Sequence, residues 1–134
     1  MTIKLTSFDS TPVVCTLCAG DERKSDGTPM GPQNVRRAEK PGAVLREYVG
    51  EDRVKGEWVQ CDSGVLSFGV TRIFATEKAA AEFALKGFGT EPREGTLEAV
   101  IGEDTVTLFD RCVITSRESA QVGVAVATQY TIEG

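Results

Sequence analysis

The sequence contains four cysteines, the residue type in this chain that most readily does chemistry: Cys15, Cys18, Cys61 and Cys112. Cys15 and Cys18 have the CxxC spacing of zinc knuckles and thiol–disulfide enzymes. A structural zinc site needs four ligands, usually from two such pairs, and the sequence has no second pair. The flanking valines and Leu17 predict a strand, in which residues three apart point to opposite faces. We therefore expect four small apolar thiols in a reducing compartment, with Cys61 and Cys112 buried and no metal at Cys15 and Cys18.

Histidine is absent, which excludes the commonest general base and the commonest metal ligand. Ser-His-Asp and Cys-His catalysis, HExxH zinc sites and histidine-dependent zinc deamination are excluded with it. The acidic pairs Glu51-Asp52 and Glu103-Asp104 lie at predicted hairpin tips, where carboxylates are solvated rather than tuned for acid–base work. The sequence also has no phosphate-binding loop. We expect a protein that is not an enzyme, with no catalytic residue and no cofactor.

The chain of 134 residues has the balance of one globular domain, with 40% hydrophobic and 26% charged residues. A net charge of −5 argues against nucleic-acid binding, which usually requires a basic face. No apolar run reaches membrane-spanning length, and the first residues lack the pattern of a secretory signal. We therefore expect a single domain over residues 1–134 that resides in the cytoplasm without a membrane partner.

Alternation of apolar and polar residues with period two recurs along most of the chain and predicts strands. Turn residues at Gly50-Glu51-Asp52, Asp62-Ser63-Gly64 and Gly102-Glu103-Asp104 are typical of hairpins. The fold class is therefore mainly β, an antiparallel β-sandwich or β-barrel. The aromatic residues Tyr48, Trp58 and Tyr130 are more typical of core or interface than of a ligand cup. The predicted strands cover residues 3–8, 13–19, 44–49, 57–61, 65–74, 96–101, 105–109, 112–116 and 121–132.

The last predicted strand, residues 121–132, has two organised faces. Even positions from Val122 to Ile132 carry mostly bulky residues, and odd positions carry small or polar ones. The strand contains no charge and no proline, the devices that protect an exposed edge. It must therefore be central in the sheet, covered within the subunit, or paired between subunits.

Two segments depart from the strand pattern. Residues 76–87 have apolar positions at helical spacing, with Thr76 as N-cap, Phe83 facing the sheet and Gly87 as terminator. This pattern predicts one α-helix that packs on the sheet edge or over an open barrel end. Residues 20–42 have almost no apolar periodicity and predict a long loop, either unstructured or ordered against a partner.

The order of elements from residue 57 to the end resembles that of prophage tail-tube-type proteins. The resemblance covers a strand, a helix and three further strands, and it includes a Gln-x-Gly opening at Gln121 and a Tyr-x-Ile-x-Gly ending at Tyr130 of the last strand. It implies a β-sandwich or barrel with one helix that assembles into rings, which stack into a tube with other tail proteins. It also implies location in a phage or phage-like particle after assembly, and an early loop that contacts the next ring.

The leading hypothesis is therefore a non-enzymatic, self-assembling tail component. It requires edges that pair with neighbouring copies, and an acidic surface suits a conduit for DNA. Under this hypothesis residues 121–132 pair between subunits. Two alternatives remain: a small-molecule-binding β-barrel or β-sandwich module with the long loop as a lid, and a metal-binding protein that uses Cys15 and Cys18.

Overall fold

The computed structural model describes residues 1–20, 22–39, 64–86, 89 and 91–134, together with the backbone of strands 43–48 and 54–59. The fold is mainly β with one short helix, which confirms the predicted class. The elements in chain order are β1 (Thr2–Thr6), β2 (Val14–Ala19), β3 (Met30–Glu39), β4 (Ala43–Tyr48), β5 (Val54–Val59), β6 (Gly64–Ile73), α1 (Glu77–Lys86), β7 (Glu94–Ile101), β8 (Asp104–Val122) and β9 (Ala125–Glu133).

Seven strands form one antiparallel sheet in the order β2-β1-β7-β8-β9-β6-β3. The sheet curls until its two outer strands meet at a single bridge between Gly20 and Gly31. There the Ala19 N–H donates to the Pro29 carbonyl at 2.8 Å, and the Gly31 N–H donates to the Gly20 carbonyl at 2.9 Å. The architecture is therefore barrel-like, closed by hydrogen bonds at one point of its seam. Strands β4 and β5 pair with each other in a separate two-stranded sheet.

The core fills the concave side of the curled sheet. Alternate residues of β6 and β9 supply much of it, because side chains on a strand alternate between its two faces. Phe68 and Tyr130 stack at its centre with ring centroids 5.3 Å apart. Cross-strand partners at this position explain the stack, since Phe68 is paired with Tyr130. The other fully buried large side chains are Ile3, Leu5, Leu17, Leu97, Val70, Val126 and Ile132.

The helix forms where the sequence predicts it, at Glu77–Lys86. Thr76 caps it, because its hydroxyl accepts a hydrogen bond from the Ala79 N–H at 3.2 Å. Ala80 is buried, and Phe83 is half-buried against Phe74 with ring centroids 5.6 Å apart. The predicted terminator Gly87 lies outside the described residues. No helix in the described part of the chain is long and apolar enough to cross a membrane.

The strand predicted at residues 121–132 has different bounds in the structure, and it does not lie at an edge of the sheet. A turn at Gly123 and Val124, with Gly123 at φ 62°, separates β8 from β9. The backbone conformation of Gly123 lies in the region that glycine adopts without steric cost, which explains why the chain turns there. Since β9 pairs with β8 on one side and β6 on the other, it is a central strand and not an edge. This corrects the expectation that residues 121–132 pair between subunits.

Strand β8 also differs from expectation, because the strands predicted at residues 105–109 and 112–116 are parts of one strand of 19 residues. Asp110 and Arg111 are exposed and interrupt the apolar pattern, because the register with β7 shifts there and both residues stand opposite the single residue Thr96. The strand continues through this bulge. The hairpin turn predicted at Gly102 is confirmed, with φ 63°. The turns predicted at residues 50–52 and 62–63 lie outside the described residues.

The long loop predicted over residues 20–42 is wrong for its second half, where β3 (Met30–Glu39) pairs with β6. The sequence concealed this strand because its side chains from Gln33 to Glu39 are all exposed. Its pairing with β6 also shifts register twice, which disturbs the alternation. Among the described residues of this range, a loop remains at 22–29, and the Gly27 N–H donates to the Ile73 carbonyl at 2.8 Å.

Candidate functional site

The CxxC pair is placed by an irregularity in the pairing of β1 with β2. Ile3 pairs with Cys18 and Leu5 with Cys15, and a register shift leaves one extra residue, Leu17, in β2. Ile3 and Leu5 are core residues, and directly paired residues share a face of the sheet. Cys15 and Cys18 are therefore both on the core side, and the prediction that they point to opposite faces is wrong. An inserted residue is the physical reason, because it reverses the alternation.

The thiols nevertheless lack the electrostatic environment of reactive cysteines. Burial, and then the Glu91 carboxylate, raise the pKa of the Cys15 thiol. Burial raises the pKa of the Cys112 thiol to about 11, and this thiol donates a hydrogen bond to the Gly95 carbonyl at 3.3 Å. A raised pKa keeps a thiol protonated, whereas metal binding and nucleophilic attack need the thiolate. Cys112 is buried as predicted, and Cys61 lies outside the described residues.

The remaining candidates from the sequence are not brought together. Glu103 and Asp104 are exposed at the β7–β8 turn, as predicted, while Glu51 and Asp52 lie outside the described residues. Tyr130 is fully buried in the core, so it does not line an open cup. The side chains of Tyr48 and Trp58 also lie outside the described residues. Within the described ranges, no group of three or more cysteine, aspartate or glutamate residues could hold a metal ion.

The structure instead assembles a cluster of charged and polar side chains inside one end of the barrel, which we call the inner polar cluster: Arg72, Glu91, Arg117 and Tyr130. Arg72 is on β6, Arg117 on β8 and Tyr130 on β9, while Glu91 precedes β7. The sequence contained a signal for this cluster that our prediction missed. Arg72 follows Leu66, Phe68 and Val70 at alternate positions of β6, so it lies in the core-facing register of that strand.

Contacts within the inner polar cluster centre on Glu91, whose side chain is 8% exposed. The Arg117 Nη1 lies 3.5 Å from Glu91 Oε1, and the Tyr130 hydroxyl donates to Glu91 Oε2 at 3.2 Å. Arg72 is 6% exposed, and its guanidinium lies 4.6 Å from the centre of the Phe83 ring. The cation–π contact joins helix α1 to the cluster. These contacts involve three strands, helix α1 and the segment before β7, all at this end of the barrel.

Burial dominates the electrostatics of the cluster. It raises the pKa of Glu91, and this effect exceeds the opposing attraction of Arg117, the hydrogen bond from Tyr130 and the attraction of Arg72. Burial also raises the pKa of the Tyr130 phenol, and the Glu91 carboxylate raises it further. Tyr130 therefore acts as a neutral hydrogen-bond donor. The cluster resembles a structural network more than an acid–base pair, because Glu91 Oε2 accepts from Tyr130 and Oε1 faces Arg117, although Oε1 makes no hydrogen bond within the described residues.

The two outer strands are the second feature with functional potential. Among the described strands, β2 pairs only with β1 and β3 pairs only with β6. Strand β2 reads Val-Cys-Thr-Leu-Cys-Ala and contains no charge and no proline. At its start Val13 and Val14 are 52% and 58% exposed. Strand β3 carries Pro32 and three charged residues, the devices that discourage pairing at an edge. The unprotected edge of this sheet is therefore β2.

Comparison with known proteins returned no match: no family model, no curated protein and no solved structure matches the chain.

Proposed function

We propose that this protein is a non-enzymatic, self-assembling structural subunit of a phage or phage-like tail, of the tail-tube type. The observation that carries the proposal is the open edge of β2. Assembly proceeds by pairing of this edge with a different surface of the next copy, a head-to-tail contact that gives a ring when the rotation between copies closes. The tail identity rests on the resemblance in element order, and self-assembly rests on the edge.

The edge of β2 offers both hydrogen bonds and apolar surface. Alternate residues of an outer strand direct their N–H and C=O groups away from the sheet, where another strand can pair with them. Exposed Val13 and Val14 add apolar area that pairing would remove from water. The start of the strand is held in place, because the Val13 N–H donates to the Ser7 hydroxyl and the Ser7 N–H donates to the Val13 carbonyl, both at 2.9 Å. A fixed edge loses little conformational entropy on pairing.

Contact between stacked rings is assigned to the loop at residues 22–29, the part of the predicted long loop that remains a loop. Residues Glu22, Arg23, Lys24 and Asp26 are exposed there and carry both signs of charge. Opposite charges on facing copies can set the register between rings without a large apolar surface. The net charge of −5 supports a conduit role as well, since an acidic protein does not adhere to the DNA passing it.

A small-molecule-binding module is the second candidate. A cleft of about 380 Å³ beside the inner polar cluster favours it, because that volume falls in the range of ligand sites. The metal-binding alternative has less support, since burial raises the pKa of the Cys15 thiol and so disfavours the thiolate that a metal needs.

The proposal is tested by placing a lysine on one outer strand or on the other. Wild-type protein should give rings or tubes by negative-stain microscopy and a multiple of 14.4 kDa in solution. Val14→Lys should abolish assembly and leave a folded monomer, because an edge lysine opposes strand pairing. The matched control is Val35→Lys on β3, also an exposed valine on an outer strand, which should assemble like the wild type. A wild-type chain that stays monomeric at high concentration contradicts the proposal.

A further inference from the structure

The cleft next to the inner polar cluster opens between the start of β2 and the segment before β7. Its lining includes Val14, Cys15 and Thr16 from β2, Pro92, and the charged residues Arg72 and Glu91. Its volume is about 380 Å³. The cleft thus joins the outer strand at the surface to a guanidinium that is 6% exposed.

Charge in and around this cleft does not balance. Arg72 and Arg117 each carry a positive charge, and among the described residues of the cluster the single acidic partner is Glu91. Glu91 is already in contact with Arg117 and Tyr130. The Nη1 of Arg72 and the Oε1 of Glu91 are both buried and make no hydrogen bond within the described part of the chain. A buried guanidinium without full hydrogen bonding is costly, so the site favours an additional anion.

A hydrogen bond to the Tyr130 side chain and the cation–π contact with Phe83 offset part of this cost. A ring face cannot accept the remaining in-plane N–H groups of the guanidinium. A carboxylate can, because its two oxygens match the planar fork of an arginine. Thr16 adds a hydroxyl donor at the mouth of the cleft.

We propose that this cleft is a binding site for a small carboxylate, which is held by Arg72. The carboxylate has two possible sources, a free small acid or an acidic side chain of a second copy laid against β2. Only the second source rests on the assembly proposed above. Nonspecific binding of anions is opposed by the net charge of −5, so saturable binding would mark a built site.

The test is an NMR titration of the dilute, isotope-labelled protein with sodium acetate. Acetamide in matching sodium chloride is the neutral control, since it has the size of acetate without the charge. We expect acetate to shift the backbone signals of Cys15, Thr16 and Arg72 saturably, and acetamide to leave them unchanged. Equal responses to the two compounds, or shifts that grow linearly without saturation, would overturn the proposal.

Three variants locate the site. Arg72→Gln should weaken acetate binding at least about tenfold, the factor that 1.4 kcal/mol gives. Glu91→Gln should tighten it by roughly the same factor, because it removes the competing carboxylate. Arg111→Gln is the matched control, an exposed arginine over the Phe8 ring and outside this cleft, and it should bind acetate like the wild type. If Arg72→Gln does not fold, the acetate affinities of Glu91→Gln and Arg111→Gln are compared instead. An unchanged affinity in Glu91→Gln then counts against the site.

Repeating the titration at assembling concentration separates the two sources. A neighbouring subunit's carboxylate would compete, so acetate affinity would fall as protein concentration rises. Affinity that is independent of protein concentration identifies a free small acid. Both results support a carboxylate site, whereas absence of saturable binding at dilute and concentrated protein alike rejects it.

Discussion

The two outer strands of the sheet meet at the Gly20–Gly31 bridge but differ in the features that control pairing with another chain. Strand β2 is six residues long, uncharged and free of proline, whereas β3 is ten residues long and carries Pro32, Arg36, Arg37 and Glu39. The pairing of β3 with β6 shifts register twice, whereas that of β2 with β1 shifts once. Proteins use charge, proline and irregular pairing to keep an edge from recruiting another strand. The difference indicates that one edge is protected and the other is left open.

The two strands also differ in how firmly they are held. Leu17 and Cys18 of β2 are fully buried in the core, so the position of this edge is fixed by packing. From Gln33 onward, every side chain of β3 is exposed, and the strand is held by its backbone bonds to β6. An edge that is both open and rigid suits repeated, regular pairing. An edge that is protected and weakly anchored is expected to stay exposed to solvent.

Truncating one aliphatic residue on each strand should give the largest difference in the free energy of unfolding between the two edges. Leu17→Ala should lower the free energy of unfolding by roughly 3–5 kcal/mol, because it removes fully buried methyl groups and leaves a cavity. Val35→Ala, on a residue that is 47% exposed, should change it by less than about 0.5 kcal/mol. Urea denaturation of both variants measures the difference. Similar losses in the two would show that β3 is anchored as firmly as β2.

A loss of stability of intermediate size is expected when the bridge between the two outer strands is altered. A Cβ at Gly31 would lie 2.9 Å from the Gly69 carbonyl oxygen, and its φ of 140° disfavours other residues. Gly31→Ala should therefore cost roughly 2–3 kcal/mol. Gly89→Ala is the control, since Gly89 also has a positive φ but no atom within 4 Å of the added Cβ, and about 1 kcal/mol is expected there. Equal thermal stability of the two variants would mean that the backbone around Gly31 shifts to accept the added Cβ without loss of stability.

The smallest effect is expected at the charges of β3. Arg37 and Glu39 lie 3.9 Å apart with side chains 55% and 78% exposed, so Glu39→Gln should change stability by less than about 0.5 kcal/mol. These charges then act against unwanted pairing and contribute little to folding. A loss above about 1 kcal/mol in thermal unfolding, at low and high salt alike, would assign them a structural role instead.

The elements that the sequence predicted correctly are those with one buried face, because burial of one face produces a regular apolar pattern. The helix with its Thr76 cap and the alternating strands β6 and β9 are of this kind. Strand β3 was missed because its side chains face solvent, and only the backbone of β6 defines it. The CxxC geometry was mispredicted because one extra residue in β2 reverses the alternation.

The inner polar cluster was not predicted, although Arg72 stands at a core-facing position among apolar residues. Its partners come from β8, β9 and the segment before β7, so their meeting depends on strand order. Strand order is set by tertiary pairing over long sequence separations, which period and composition do not encode. The open edge depends on strand order in the same way. The terminal strand had the composition of an unprotected edge but lies between β8 and β6.

Hydrogen exchange of backbone amides, followed residue by residue in dilute and in concentrated protein, tests the open edge most directly. Pairing of β2 with another copy should slow exchange by at least roughly tenfold on concentration at those amides of residues 14–18 that do not bond to β1, with residues 33–39 of β3 unchanged. The Ala19 amide already donates to the Pro29 carbonyl and should not change. The central strand β9 serves as the internal reference, because it is already paired on both sides. Exchange in β2 that stays the same at all concentrations, or that slows in β3 instead, would contradict assembly through the open edge.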